Sequence, residues 1–416
     1  MSDIVLSEYD ATKLARDQLD EDTALTFWRR FEKYVTLDFP TPANDDQWVF
    51  TATGTVGYFP LDSTWGVRVL PKVAIGNVLG MLKHAYDIPV EVLDSSDDVR
   101  TVEDIFNYLA GYLAQLVTQR AKRGLAKAYQ ARRDDLPYVR GRIDVPAQVR
   151  RPVALRFACD FEEHTADIHD NQVLRWTLLY LSRASLHEPA KGRVRLAQHS
   201  LASVVSVVRV HASTAVAPYY DRLRQDYRPM HALCHLFLDS MTPTLARGTH
   251  ESVPLLITMH NLFERYVFAV LHDYFSQHNL RVRQQVTKPL GHGVSFRIDI
   301  VIQDRSDQTL LVLDTKYKNR FAPSSDDVQQ AVAYAEVMGC HHAALVYPTS
   351  TKPMKLDVGN KQVHRVGLDL SGDLTVAAAT LCAEVSKLVG MTPPTSPLQA
   401  PRQAGVTSAL EPPTSP

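Results

Sequence analysis

The stretch FRIDIVIQDRSDQTLLVLDTKYKN, residues 296–319, sets Asp299, Asp314 and Lys316 at the ends of two apolar runs. Two carboxylates and an ammonium are costly to keep close together unless something binds between them. A divalent cation that prefers oxygen takes such a pair, and a lysine beside it can orient an attacking water or offset charge developing on a phosphate. In VSFRIDIVIQ the apolar Val294, Phe296, Ile298, Ile300 and Ile302 alternate with Ser295, Arg297 and Asp299. One face of that strand should enter a core while Asp299 leaves the other. Asp314 and Lys316 are two residues apart and share a face of the next strand, so antiparallel pairing through the short turn between them brings both aspartates to one sheet edge. The alternative is a set of solvated strand ends, because Asp-x(14)-Asp-x-Lys recurs by chance.

The elements that must position these residues are legible around them. NLFERYVFAVLHDYF reads as a helix, followed by three strands (RVRQQV, VSFRIDIVIQ, TLLVLDTKY), the helix DDVQQAVAYAEVMG and a fourth strand, HAALVYP. This α-β-β-β-α-β order predicts an α/β core of its own from about residue 251 to 392. Glu264 shares the first helix with Val267, Phe268, Leu271 and Phe275, an apolar stripe in which an unpaired acid is rarely kept. It is either a third acidic metal ligand or the partner of Arg265 or another neighbour. Gln330 and Tyr334 lie one turn apart on the second helix, where Gln330 can reach a water or a phosphate or serve as an ordinary surface glutamine.

Upstream, WVFTATGTVGYFPLDSTWGVRVLPKV at 48–73 mixes aromatic and β-branched residues with turn formers and predicts exposed hairpins. TVEDIFNYLAGYLAQLVTQRAKRG carries Val102, Ile105, Phe106, Leu109, Leu113, Leu116 and Val117 at helical spacing, with Thr101 as cap and Gly124 as stop. Residues 1–130 are thus expected to be a β-rich module plus one amphipathic helix. Residues 131–250 are expected to be arginine-rich and mostly helical, NQVLRWTLLYLSRA and SLASVVSVVRV being the clearest helices. The tail, 393–416, is rich in Pro, Ser and Thr and should be disordered.

At 416 residues the chain exceeds a single core, and 45% hydrophobic with 22% charged residues is ordinary for a globular protein. No apolar run approaches membrane-helix length, the N-terminus lacks the pattern of a signal peptide, and the four cysteines are scattered, which predicts a cytoplasmic protein with no membrane partner. A net charge of −1 excludes a wholly electrostatic nucleic-acid binder, so DNA must be met by patches. Arg281, Arg283, Lys288, Arg297, Lys318 and Arg320 form one candidate patch. Arg132, Arg133, Arg140, Arg142, Arg150, Arg151 and Arg156 form another, unless they pair with acids such as Asp134 and Asp135. HALCH, with His231, Cys234 and His235, is expected to be packing and not a metal site. The dipeptide Gly-Lys never occurs, which excludes a Walker A loop, and there is no GxSxG elbow.

Asp299, LDTKY with Asp314 and Lys316, and DDVQQAVAYA with Gln330 and Tyr334 resemble the PD-(D/E)xK nuclease core in the form found in the McrC family, the nuclease subunit of the McrBC modified-cytosine restriction system. GYFPLDSTWGVRVLPKV with NVLGMLKHAY, YVRGRIDVPAQV and DFEEHTADIHDNQVLRWTL resemble the upstream regions of that family, so the resemblance covers about 48–350. It departs at the first motif, where Ile298 precedes Asp299 in place of proline. The resemblance implies a restriction-endonuclease-like fold and a Mg²⁺-dependent (alternatively Mn²⁺-dependent) DNA endonuclease acting on double-stranded DNA. Asp299 and Asp314, with Glu264, would hold the metal; Lys316 would place the attacking water and Gln330 would help orient it. It also implies a hexameric AAA+ GTPase partner resembling McrB, which binds the GTP, docks on the first 250 residues and has its hydrolysis stimulated by them. A non-catalytic adapter with a vestigial core, or a nuclease working without a motor, are the alternatives.

Overall fold

Alternating apolar residues at the front of the chain build two small sheets. In the computed structural model, which describes residues 2–60, 65–89, 99–150, 155–217, 219–240, 254–318, 323–350 and 352–391, strand β1 (Ser2–Ser7) is followed by β2 (Ala11–Ala15), helix α1 (Glu21–Phe31), β3 (Val35–Asp38), β4 (Gln47–Ala52), β5 (Thr55–Pro60) and β6 (Trp65–Leu70). Asp20 caps α1 by accepting from the Thr23 amide at 2.9 Å. The apolar face of α1, Ala24, Phe27 and Phe31, is buried, and Phe27 meets Phe50 of the β2-β4-β3 sheet edge-on. Helices α2 (Ile75–Ala85) and α3 (Val102–Arg123) follow. The periodic residues expected of α3 are all buried except Leu116, which is half-buried, and Gly124 ends the helix at φ 99°.

The arginine-rich stretch is a sheet and not a helical region. Strands β7 (Ala128–Leu136), β8 (Arg142–Ile143) and β9 (Phe157–Thr165) pair in the order β7-β9-β8, with the short α4 (Val145–Val149) between β8 and β9. Gly141, at φ +70°, makes the turn into β8; a Cβ there would collide with the Asp160 carbonyl oxygen and lie 2.7 Å from Phe161 Cβ, so VRGRID admits no larger residue at that point. Helices α5 (His169–Leu181), α6 (Glu188–Leu201) and α7 (Tyr227–Asp239) complete the region. The expected helix SLASVVSVVRV does not form: α6 stops at Leu201 and residues 206–210 have no regular structure. Five valines in this segment are stiff at χ1 and disfavour helix, and its serines compete for backbone hydrogen bonds. HALCH lies in α7 as packing, with His231 Nδ1 2.9 Å from the Tyr220 hydroxyl and Nε2 3.0 Å from the Asp170 carbonyl.

Asn171, within the DFEEHTADIHDNQVLRWTL motif, organises this region from inside. It is fully buried and donates from Nδ2 to the carbonyls of Ala126 at 2.9 Å and Ala166 at 2.7 Å, while its Oδ1 accepts from the Tyr227 hydroxyl at 2.6 Å. The Tyr227 oxygen accepts in turn from the Ala126 amide at 2.9 Å. Asn171→Ala leaves the Ala126 carbonyl and the Tyr227 hydroxyl proton without the amide they bond, while the Ala166 carbonyl keeps the Ile168 amide. We expect it to cost roughly 3 to 5 kcal/mol, read as a fall in the urea midpoint; an unchanged midpoint would show that these groups are already hydrated.

The rest of the chain returns to the front. Strand β10 (Leu256–Thr258) pairs antiparallel with β5, giving a four-stranded sheet β1-β6-β5-β10. Gly57, at φ +131°, permits the approach, since a Cβ there would sit 2.7 Å from the Leu255 carbonyl. Helix α8 (Met259–Ser276) leads into β11 (Arg281–Gly291), β12 (Val294–Gln303), β13 (Thr309–Thr315), α9 (Ser325–Val337), β14 (His342–Tyr347), β15 (Met354–Val358), β16 (Lys361–Gly367) and α10 (Leu374–Leu388). Six strands form one sheet in the order β11-β12-β13-β14-β16-β15. The β11 to β13 meander is antiparallel, β13, β14 and β16 are parallel, and β15 closes the far edge antiparallel to β16. Ala331, Tyr334 and Ala335 of α9 pack on Val301, Val312, Ala343, Leu345 and Val363, while α8 lies against β11 and β13.

Contacts therefore divide the chain differently from the expected segments 1–130, 131–250 and 251–392. One unit runs to Ile105 and resumes at Pro254; the other is Phe106–Asp239. The front sheets fall in the same unit as the large sheet, with β10 paired to β5 and α2 packed on α8. The hairpin at 57–66 is also not an exposed appendage: Val56, Phe59, Val67 and Val69 of β5 and β6 are buried, while residues 61–64, like the tail 393–416, lie outside the described residues. Among the described residues no helix is long and apolar enough to cross a membrane.

Candidate active site

The β12–β13 ladder ends at Ile300↔Leu313, and one step further Asp299 comes opposite Asp314. Asp299 is fixed through its Oδ2, which accepts from the Thr315 amide at 2.8 Å and the Thr315 hydroxyl at 2.9 Å. Asp314 is buried, at 3% exposure, because β13 is interior to the sheet. Lys316 follows the strand end, where its amide donates to the Val346 carbonyl at 2.8 Å and keeps the chain in line with β14. Its Nζ stands 2.7 Å from Asp314 Oδ2, and donates to Gln330 Oε1 at 2.8 Å. Gln330 Nε2 donates to the Tyr334 hydroxyl at 2.7 Å, which fixes the amide with its oxygen toward the lysine. Asp299, Asp314, Lys316 and Gln330 are thus brought to one place. The carbonyl of Gln330 is occupied by Lys316, so Gln330 acts on the lysine and reaches a water only through it.

The electrostatics follow from burial and mutual charge. Burial first, and then the charge of Asp299, push Asp314 up to about 6, against the opposing pull of Lys316. Burial works against the Lys316 charge, but its hydrogen bond to Asp314 and the charges of Asp314, Asp327 and Asp299 outweigh it and hold the ammonium above its ordinary range. At neutral pH Lys316 is a cationic donor and not a base. Glu264 is raised by burial and then by Asp299, with hydrogen bonds from Gln285 and Gln284 opposing. Those bonds, 3.1 Å from Gln285 Nε2 and 3.3 Å from Gln284 Nε2, both end on Glu264 Oε1. Arg265 instead stacks over the Tyr86 ring at 5.3 Å.

Among the described residues no three His, Cys, Asp or Glu side chains gather as a metal cage; the carboxylates that meet at the strand ends are Asp299 and Asp314. The pair suffices for a cation such as Mg²⁺, which is commonly held by one or two carboxylates with water and substrate phosphate supplying the rest. Asp314 Oδ2 fits that use: it is buried, and the Lys316 ammonium at 2.7 Å is its close partner.

Sequence reasoning missed several neighbours. Asp327 is buried and takes Lys318 at 3.3 Å and Lys316 at 3.7 Å while completing a capping box with Ser324 at the start of α9. The pattern Ser-x-x-Asp was its signal. Tyr317, next to the lysine, donates to the buried Glu8 at 3.1 Å, a contact across 309 positions with no trace in local spacing. Of the nearby basic residues, Arg281 is paired with Asp307 at 2.6 Å, Arg320 lies outside the described residues, and Arg297 faces Glu264 closely enough to act on its charge. In the other patch, Arg132 pairs with Glu163 and Asp167, Arg133 with Asp144 and Asp160, and Arg140 with Glu163. Those three arginines largely serve their own sheet, and Arg156 Nη1 donates to the Asp135 carbonyl at 3.3 Å.

A family model described as McrBC 5-methylcytosine restriction system component matches residues 50–348, most of the chain and all four converging residues. The chain belongs to this McrBC family. The McrBC match begins in β4 and ends just past β14, so it spans both units. Among solved structures, a chain of the refined half-complex from a tetradecameric assembly of Thermococcus gammatolerans McrB AAA+ hexamers with bound McrC is 16% identical, with 93% of this chain and 100% of that one covered at a TM-score of 0.53. A second, from the cryo-EM structure of the Thermococcus gammatolerans McrBC complex, is 17% identical over 65% and 87% of the two chains, at 0.40. Curated proteins gave no match.

Proposed function

We propose that this McrBC-family chain is the DNA endonuclease subunit of a modification-dependent restriction system, with a PD-(D/E)xK core formed by α8 to β14. The observation that carries the reading is the Asp299–Asp314 pair at a sheet end with a charged Lys316 held between Asp314 and Gln330. Mg²⁺ held by Asp299 and Asp314 would supply Lewis-acid stabilisation to a phosphodiester under attack. Lys316 presents its remaining N–H to the incoming water or to a phosphoryl oxygen, and Gln330, itself pinned by Tyr334, keeps the ammonium from swinging away. Glu264 contributes from the rim and not from the first pair of ligands. Exposed Arg283, Lys288 and Arg297 near the site supply phosphate contacts on duplex DNA.

The motor lies in another chain. No Gly-Lys dipeptide is present for a phosphate loop, and the fold is shared with a chain from an assembly of McrB AAA+ hexamers with bound McrC, which favours an AAA+ GTPase partner that binds the GTP. The test is cleavage of duplex DNA carrying 5-methylcytosine by this chain, by its AAA+ partner and by both, with Mg²⁺ and GTP. We expect cutting only by the pair, no GTP turnover by this chain alone, and faster turnover by the partner when the chain is added. Equal cutting without the partner would replace this reading by that of a standalone nuclease.

A further inference from the structure

Gln285 is the one residue in the middle of β11 with a left-handed backbone, φ 52°. A side chain with a γ-carbon avoids that conformation, and where it persists the surrounding structure holds it against a cost. It makes no turn here. The ladder to β12 is in register on both sides, Gln284↔Ile300 before and Val286↔Ile298 after, so no residue has been inserted and no register gained. The unpaired position between them is the one opposite Asp299.

What the conformation does change is direction. Successive strand residues send their side chains to opposite faces, yet the amides of Gln284 and Gln285 converge on a single oxygen, Glu264 Oε1, at 3.3 and 3.1 Å. Glu264 Oε2 accepts no hydrogen bond from any described residue. We propose that Gln285 is a positioning residue for the metal site: its left-handed backbone turns a second amide onto Glu264, fixing that carboxylate by one oxygen and leaving the other to the outer coordination sphere of a cation held by Asp299 and Asp314. The inference rests on the nuclease reading and adds to it a residue that touches neither metal nor substrate.

Replacing Gln285 by glycine and by alanine separates the backbone from the amide. Glycine adopts the left-handed conformation freely and alanine does not, so the glycine variant should melt above the alanine variant, the reverse of an ordinary strand position. Both lose the amide, and loss of such an outer partner weakens metal affinity by about 10- to 100-fold. The half-saturating Mg²⁺ concentration, read by thermal stabilisation of the full chain and independently by cleavage with the partner present, should rise by that factor in both variants, including the one that folds well. Gln285→Asn, shorter by one methylene, should not restore it. A glycine variant that binds Mg²⁺ and cleaves like wild type overturns the inference alone. An alanine variant that melts above the glycine variant overturns the strain on which it rests. A wild-type chain that neither binds nor uses Mg²⁺ overturns the nuclease reading and this inference together.

Discussion

Asp314→Asn should abolish metal-dependent cleavage and, in the absence of metal, make the protein more stable. The two effects have one cause. The carboxyl is buried beside Asp299 and titrates at about 6 in the folded chain, against an ordinary value near 4 when unfolded. Between those values the folded protein holds a proton that the unfolded chain has released. Stability therefore falls as pH rises through that window, and the full deficit, on the order of 3 kcal/mol, is present above it. Asparagine keeps the shape and removes the charge. In EDTA at pH 8 the variant should melt higher than wild type, and the two should converge as the pH approaches 4. Added Mg²⁺ should raise the wild-type melting temperature and leave the variant unmoved. A variant that cuts DNA at the wild-type rate in Mg²⁺ would remove Asp314 from the site, and identical melts at pH 8 would show that the two aspartates do not repel.

Lys316→Ala should lower cleavage by about 10²- to 10³-fold, the usual effect of losing one donor aimed at developing charge, while the partner's GTP hydrolysis is still stimulated. The alanine also strands Asp314 and Asp327 in the interior, and removing one member of a buried pair is costly. The double variant Lys316→Ala/Asp314→Asn relieves much of that cost and should fold better than the single one without recovering activity. If the folded double variant fails to stimulate the partner, the catalytic sheet and the surface that the motor feels are one device and not two.

The half that carries the candidate site was readable because its signals are local. α8 and α9 carry apolar residues at helical spacing, β12 alternates up to Asp299, and Asp314 with Lys316 needs only a short turn to meet it. Gln330 and Tyr334 lie one turn apart on α9 and bond each other as their spacing allows, and the Gln330 carbonyl is committed to Lys316. What could not be read depends on distant or competing terms. The front sheets join the large sheet's unit through contacts distant in sequence, β10 on β5, α2 on α8 and Tyr317 on Glu8, and a three-residue strand such as β10 has no period to detect. The arginines at 132–142 look like a solvated basic face until β9 supplies Asp160 and Glu163 across the ladder. Gln285 gives no warning at all, since nothing in the local pattern of β11 marks a left-handed residue.

The lateness of β10 bears on how the protein is made. About 200 residues separate β5 from the strand that covers its free edge, and at ~5–20 residues per second a ribosome needs roughly 10 to 40 s to deliver them. During that interval β5 presents unpaired backbone groups to every other nascent chain nearby, the situation in which edge-to-edge aggregation begins. Synthesis rate and chaperone supply across the middle of the message should therefore govern the soluble yield more than the stability of the finished fold does, and a front fragment expressed by itself never receives the strand that would seal it.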